Sequence, residues 1–322
     1  MSDNGYDVWL GNARGNRHSM LHVSYNSESK DFWSFSWHEI GYYDLPAMFD
    51  YMLRITYRAS AYFIGHSQGA TNLLVLLTTR PEYNQKIIQG HLMATPAYMY
   101  NVTRPLAALL NTDITWDIAS VLGVYKSPSI IYVAETLAEI FCSQVMPIAP
   151  QLCQNILFML LGRKTGTVDI DLNTLAIIPQ HVSSYVSIMQ IRHYVQCIKS
   201  GKFQRYNYKL KNQQYYNTVD PPSYQMRNII APIYLYQGAD DILVSRWDAD
   251  VLKTMIPSCK EYKVIDKWCH YDFIYSRHAR TTVYNNILNT IDSNCPGWER
   301  VAVEKRAILW VAQVICDISN RG

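Results

Sequence analysis

A pentapeptide with glycine at both ends, Gly65-His66-Ser67-Gln68-Gly69, places the strongest constraint on the fold of this chain. It follows an unbroken apolar run, Ala61–Ile64, and precedes an apolar, helix-like stretch that continues through Thr78. A strand that is apolar on both faces is typical of a parallel sheet covered by helices on both sides. Small residues two positions before and after a serine permit a sharp turn between strand and helix. The sequence therefore predicts that Ser67 stands on a strained turn above a parallel sheet.

Strand and helix patterns alternate on both sides of a less regular middle. The predicted strands are Tyr6–Leu10, Ala61–Ile64, Ile87–Ala94, Ile233–Gln237 and Glu261–Ile265. The predicted helices begin at Asp44-Leu45-Pro46, with Asp44 as the capping carboxylate, after Ser67, near Trp247 and at Asp272. Such alternation predicts an α/β fold with a parallel sheet.

The alternation stops between about Thr95 and Met226 and then returns. We therefore expect an α/β core made of residues 1–95 and 227–292, with an inserted cap or lid at 96–226. Residues 293–322 form a tail of unknown role. Its apolar residues have a partly helical spacing: Val301, Ile308, Leu309, Ala312 and Val314.

A serine at such a turn needs a base, and the base needs a carboxylate that orients it. In folds with this turn the order along the chain is serine, acid, histidine. The acid is expected after the strand Ile233–Gln237, where Asp240 and Asp241 compete and Asp241 fits slightly better. These residues predict nucleophilic chemistry at Ser67.

Of the nine histidines, His270 has the order and location that the base requires, because it follows the last predicted strand. We place His278 inside the following helix, where it would point elsewhere. His66 belongs to the turn itself and is interpreted as a wall of the pocket. A structural or surface histidine is the alternative for His270, and its place in the series argues against that alternative.

Composition excludes several classes of function. The net charge of +3 is small and the basic residues are scattered, which argues against nucleic-acid binding. No apolar run is long enough to cross a bilayer. The seven cysteines and nine histidines show no zinc-type spacing, so we expect no metal site. The first ten residues lack the pattern of a signal peptide.

Several longer segments resemble one family. They are Gly5–Asn16, Phe32–Trp37, Tyr43–Ala47, Gly65–Gly69, Ser200–Phe203 and His270–Phe273. In this order they resemble the acid lipases, which include the gastric and lysosomal lipases and an insect branch. The similarity extends nearly to Ile291.

The resemblance implies an α/β-hydrolase fold with a cap or lid, and hydrolysis of neutral lipids or esters at a lipid–water interface. It implies an acyl-enzyme formed by Ser67, Asp241 and His270, without metal or organic cofactor. It places the family's cap disulfide on Cys142 and Cys153 and implies a secreted or lysosomal protein. Asn101-Val102-Thr103 is a glycosylation sequon, a pattern that also occurs by chance.

The same resemblance indicates that the first three strands of the family's sheet are missing from this chain. The third strand normally lies between the fourth and fifth, and the loop after it donates one backbone amide of the oxyanion hole. The other amide belongs to Gln68. We therefore expect unpaired strand edges and half an oxyanion hole. A non-catalytic lipid-binding relative and an impaired fragment remain the alternatives to an active enzyme.

Overall fold

The structure, a computed structural model, describes residues 1–102, 124–128, 185–293 and 307–312. Within these ranges, six parallel strands form one sheet. Across the sheet their order is β1 (Asp7–Leu10), β8 (Ala307–Ala312), β2 (Ala61–His66), β3 (Ile87–Met93), β6 (Ile233–Gly238) and β7 (Cys259–Ile265). Two short strands, β4 (Lys126–Pro128) and β5 (Tyr185–Ser187), pair antiparallel in a separate two-stranded sheet. The predicted parallel α/β fold is confirmed.

Helices cover both faces of the main sheet. They are α1 (Trp37–Glu39), α2 (Leu45–Thr56), α3 (Gln68–Thr79), α4 (Ile188–Ser200), α5 (Asn212–Tyr216), α6 (Arg246–Met255), α7 (Asp272–Tyr275) and α8 (Asn285–Ser293). π-Helical turns at Ile40–Asp44 and Arg280–Tyr284 precede α2 and α8, and short 3-10 turns occur at Ser2–Asn4, Pro81–Gln85, Lys209–Lys211 and Met226–Asn228. None of the helices in the described ranges combines the length and apolarity that a bilayer span needs.

Strand β2 carries the core on both of its faces, as its apolar run predicts. All six of its residues are buried. Phe63 packs into the cluster formed by α2 and α3, together with Phe49 and Leu73. Ile64 packs on the opposite face, in the cluster that contains Ile287 of α8. This double burial fixes the strand from which the Ser67 turn emerges.

Helix α2 begins at Leu45, as predicted, but Asp44 does not cap it, because its side chain makes no capping hydrogen bond. The helical segment begins earlier, at Trp37, because Ser36 and Glu39 form a capping box in which the Ser36 nitrogen donates to Glu39 Oε2 at 2.6 Å. Asp44 instead accepts two bonds from the Arg14 guanidinium, at 2.8 and 2.5 Å, and one from the Arg14 backbone nitrogen at 3.0 Å. The carboxylate therefore ties the loop after β1 to the helix.

The partly helical pattern expected around Ile308 and Leu309 is wrong for residues 307–312, which form strand β8. Ile308 and Leu309 are buried on opposite faces of the sheet, in the two core clusters. Consecutive apolar residues suit a strand covered on both sides, whereas the helical spacing in this tail is loose. What favours the strand over the helix is the pairing of β8 with β1, which lies near the other end of the chain.

The position of β8 also corrects the expectation of unpaired edges at the expected gap in the sheet. β1 pairs with β8 from Asp7 to Leu10, and β2 pairs with the other side of β8 from Tyr62 to His66. Strand β8 thus lies between β1 and β2, the two strands that precede Ser67 in the sequence. The expected gap is filled by a parallel partner.

Most of the predicted cap lies outside the described residues, including Cys142 and Cys153 of the predicted disulfide. The described part of the 96–226 segment includes β4, β5, α4 and α5. Helix α4 packs against the core through its His193 side chain, which stacks on Trp37 with ring centroids 3.6 Å apart. The same imidazole contacts Ser36 Oγ through Nδ1 at 3.0 Å. Helix α4, in the segment 96–226, is therefore anchored beside α1.

Candidate active site

Ser67 occupies a strained turn between β2 and α3. Its backbone has φ 54° and ψ −125°, which is rare for a residue other than glycine and costs on the order of 1–3 kcal/mol. Its nitrogen donates to the Met93 carbonyl at 2.9 Å, which fixes the turn to the neighbouring strand. A Cβ atom on Gly65 would lie 2.7 Å from Phe63 Cε1 and 2.8 Å from the Ala70 nitrogen. Glycine is therefore required at this position, as the motif predicts.

The structure brings Ser67, His270 and Asp241 together in one line. The Ser67 Oγ to His270 Nε2 distance is 2.8 Å, and the His270 Nδ1 to Asp241 Oδ2 distance is also 2.8 Å. Both the histidine and the aspartate are buried. With a proton on Nδ1 facing the carboxylate, the Nε2 lone pair faces the serine hydroxyl. This tautomer can accept the hydroxyl proton.

The backbone around Asp241 holds its carboxylate in place. Asp241 Oδ1 accepts from the nitrogens of Leu243 and Val244 at 2.8 and 2.9 Å, so Oδ2 remains directed at His270. Asp240, the competing candidate, is partly exposed, and its nitrogen donates to the Trp268 carbonyl at 2.9 Å. The geometry supports the choice of Asp241.

A glycine lets the two loops that carry the acid and the histidine approach each other. Gly238 ends β6, and a Cβ atom there would lie 2.8 Å from the Trp268 carbonyl carbon and 3.3 Å from the Cys269 oxygen. No side chain fits between these backbones. The short distance between Asp241 and His270 therefore depends on a residue that lacks a side chain.

His66 is buried behind His270, and this contact replaces our interpretation of His66 as a wall of the pocket. The His66 Nε2 to His270 carbonyl distance is 2.7 Å. Burial, and secondarily the nearby His270, lowers the pKa of His66 to about 3, so the neutral ring donates its Nε2–H to that carbonyl. His278, predicted inside a helix, instead occupies an exposed turn after α7.

Gln68 is the first residue of α3, directly after Ser67. The first backbone N–H groups of a helix have no partner within the helix, and the helix dipole is positive at this end. The side chain of Gln68 is buried, and its Nε2 donates to Gln190 Oε1 of α4 at 2.6 Å. No local pattern indicated the contacts of His66 and Gln190, because each joins segments that are distant in the sequence.

The sequon residue Asn101 is exposed and contacts α6. Its nitrogen and its Nδ2 donate to the two carboxylate oxygens of Asp248, at 2.9 and 3.0 Å. Burial raises the pKa of Asp248. Glycosylation of Asn101 stays a prediction. Among the described residues, no group of three or more His, Cys, Asp or Glu side chains is arranged to hold a metal ion.

Comparison with known proteins places the chain in a family, although no family model matches it. Lipase 3 of Drosophila melanogaster is 37% identical over 298 residues, which cover 91% of this chain and 75% of that protein. Gastric triacylglycerol lipase of Homo sapiens is 30% identical, covering 91% and 73%. Lysosomal acid lipase/cholesteryl ester hydrolase of Homo sapiens is 29% identical, covering 90% and 72%. The chain therefore belongs to the acid lipase family and is a serine ester hydrolase with an α/β-hydrolase fold.

Proposed function

We propose that this chain hydrolyses neutral lipid esters, acylglycerols or sterol esters, through a covalent acyl-enzyme on Ser67. His270 acts as the general base and acid, and Asp241 orients it. The backbone N–H of Gln68 donates to the oxyanion. The observation that carries this proposal is the continuous pair of 2.8 Å contacts from Ser67 Oγ through His270 to Asp241.

In the acylation half of the reaction, Ser67 Oγ attacks the ester carbonyl carbon while its proton passes to His270 Nε2. The carbonyl oxygen becomes negative and accepts from the Gln68 N–H at the start of α3. Asp241 stabilises the imidazolium that forms. His270 then gives its proton to the alcohol oxygen, the ester bond breaks, and the acyl group remains on Ser67.

In the second half, water replaces the alcohol. His270 Nε2 takes a proton from the water, whose oxygen attacks the acyl carbon. The second tetrahedral intermediate collapses when His270 returns the proton to Ser67 Oγ, and a carboxylic acid leaves. All proton transfers use groups of this chain, and the reaction needs no metal or organic cofactor.

The printed names of the relatives support the substrate class that we propose. The relatives are named as a triacylglycerol lipase and as an acid lipase/cholesteryl ester hydrolase, so both glycerides and sterol esters are candidate substrates. We propose that the enzyme acts at a lipid–water interface, with the 96–226 segment as its cap. Gastric and lysosomal relatives also favour a secreted or lysosomal location.

The test compares the wild-type chain with Ser67→Ala on p-nitrophenyl butyrate and on emulsions of triolein and cholesteryl oleate. Loss of a triad serine lowers kcat by roughly 10⁶-fold in a related mechanism, so we expect background rates. Ser34→Ala, at an exposed serine, is the matched control and should retain activity. A fluorophosphonate should label wild type and not Ser67→Ala. Equal hydrolysis by wild type and Ser67→Ala would refute the proposed nucleophile.

A further inference from the structure

The side chain of Gln68 is tied to a helix that enters the core from the inserted segment. Gln68 Nε2 donates to Gln190 Oε1 at 2.6 Å, across 122 positions of sequence. Gln68 and Gln190 are 4% and 5% exposed, so the bond lies away from solvent. Hydrogen bonds in such surroundings are stronger than in water, and their loss leaves a buried donor without a partner.

The partner residue is itself held firmly. Gln190 lies in the first turn of α4, where the Met189 nitrogen donates to Ser187 Oγ at 3.1 Å. Ser187 Oγ donates in turn to the Trp33 carbonyl at 2.6 Å. The start of α4 is therefore fixed to the core at the cap residue, three positions before Gln190. Gln190 provides a fixed acceptor rather than a mobile surface amide.

The backbone of Gln68 is held from a second direction. With the Asn72 amide oriented so that its nitrogen donates, Asn72 contacts the carbonyls of Gln68 and Trp37, each at 3.2 Å. The other side-chain atom of Gln68, Oε1, is buried without a hydrogen-bond partner among the described residues. The bond to Gln190 is therefore the side-chain contact that determines where this residue points.

We propose that Gln190 is a positioning residue for the oxyanion hole, acting through the side chain of Gln68. The inference rests on the proposed function, in which the Gln68 N–H donates to the developing oxyanion. An N–H donor works when it is fixed in advance about 3 Å from the position of that oxygen. Gln190 supplies the constraint on the residue that carries this donor, and it links the donor to the segment predicted to form the cap.

The experiment is a double-mutant cycle with Gln68→Met and Gln190→Met, measured with soluble p-nitrophenyl butyrate. Methionine keeps the length of the side chain and the backbone N–H but removes the amide. Because a displacement of about 1 Å can cost roughly 10²-fold in rate, we expect each single variant to lose about 10-fold in kcat with KM within about twofold. The kcat of the double variant should be no lower than that of the less active single variant.

Gln196→Met is the matched control on the same helix. Gln196 exchanges two bonds with the backbone of Asn207, at 2.8 and 3.0 Å, so its loss perturbs α4 without breaking the contact to α3. This variant should keep its kcat. Fluorophosphonate titration gives the fraction of reactive Ser67, so that kcat is counted per folded site and misfolded protein is excluded.

Three results would overturn the assignment of Gln190. These are multiplicative losses in the double variant, an unchanged kcat in Gln190→Met, and an equal loss in Gln196→Met. They are separate from failure of the proposed function, which would appear as undiminished activity of Ser67→Ala.

Discussion

Val8 and Ile308 are register partners in the parallel ladder between β1 and β8, although they lie near opposite ends of the chain. On its other side, Ile308 pairs with Tyr62 of β2. The C-terminal strand thus connects the loop-bearing strand β1 to the strand that leads into Ser67. Its last described residue, Ala312, pairs with His66, one position before the proposed nucleophile.

This arrangement predicts that the sheet depends on the side chains of β8. Leu309 is 2% exposed and packs in the main core cluster, so Leu309→Ala should lower the free energy of unfolding by about 2–5 kcal/mol. Leu210→Ala, at a leucine that is 98% exposed, should change it by less than about 0.5 kcal/mol. Urea unfolding followed by tryptophan fluorescence measures both. Equal, small effects would mean that β8 does not pack in the sheet in solution.

The two neighbouring aspartates should differ sharply in their effect on catalysis. Asp241→Asn keeps an oxygen for the Leu243 and Val244 nitrogens but favours the wrong tautomer of His270, so kcat should fall by roughly 10⁴-fold. Asp240→Asn should change kcat by less than about threefold, because Asp240 contributes a backbone contact. The assay is p-nitrophenyl butyrate hydrolysis, with circular dichroism as the folding control. A larger loss in Asp240→Asn would reverse the assignment.

The sequence predicted those parts of the fold and site that depend on local patterns. The apolar run of β2 and the glycines around Ser67 lie within one short segment, and order along the chain was enough to select His270 for the candidate site. Strand β8 could not be predicted in the same way, because its apolar residues fit a loose helix until β1 and β2 are placed beside them. Asp44 was predicted to cap a helix because it precedes Leu45 and Pro46. Its contact with Arg14 could not be predicted, because Arg14 lies in a distant loop.

His66 should support catalysis by holding the backbone of His270. Its Nε2–H donates to the His270 carbonyl at 2.7 Å, so His66→Leu leaves a buried carbonyl without this donor. We expect kcat to fall by about 10-fold, through displacement of His270 by a fraction of an ångström. His66→Gln, whose amide can donate, should recover part of the loss. If His66→Leu and His66→Gln have the same kcat, the hydrogen bond from His66 to the His270 carbonyl has no catalytic effect. The His66 ring would then contribute only by packing.

Buried neutral histidines should make the protein sensitive to acid. Burial lowers the pKa of His91 to about 3, while in the unfolded chain the value is 6.5. Between these values the unfolded state binds a proton that the folded state does not, so the free energy of unfolding decreases as pH falls from about 6.5 to about 3. The decrease is up to about 1.4 kcal/mol per pH unit for this residue, or about 2 kcal/mol at pH 5. His193 is buried with its pKa also lowered to about 3, and it should add to the effect.

The variant His91→Gln separates the effect of His91 titration on stability from the effect of its packing contacts. His91 contacts Tyr236 Oη and Gln89 Oε1, each at 3.1 Å, so its replacement should lower stability at pH 7. The same replacement should make the slope of unfolding free energy against pH shallower by about 1.4 kcal/mol per unit between pH 6 and 4. Gln89→Ala removes one of these contacts and keeps the imidazole, so it should lose stability at pH 7 but retain the steep slope. Urea unfolding at closely spaced pH values measures both slopes, and parallel curves for wild type and His91→Gln would contradict a buried neutral His91.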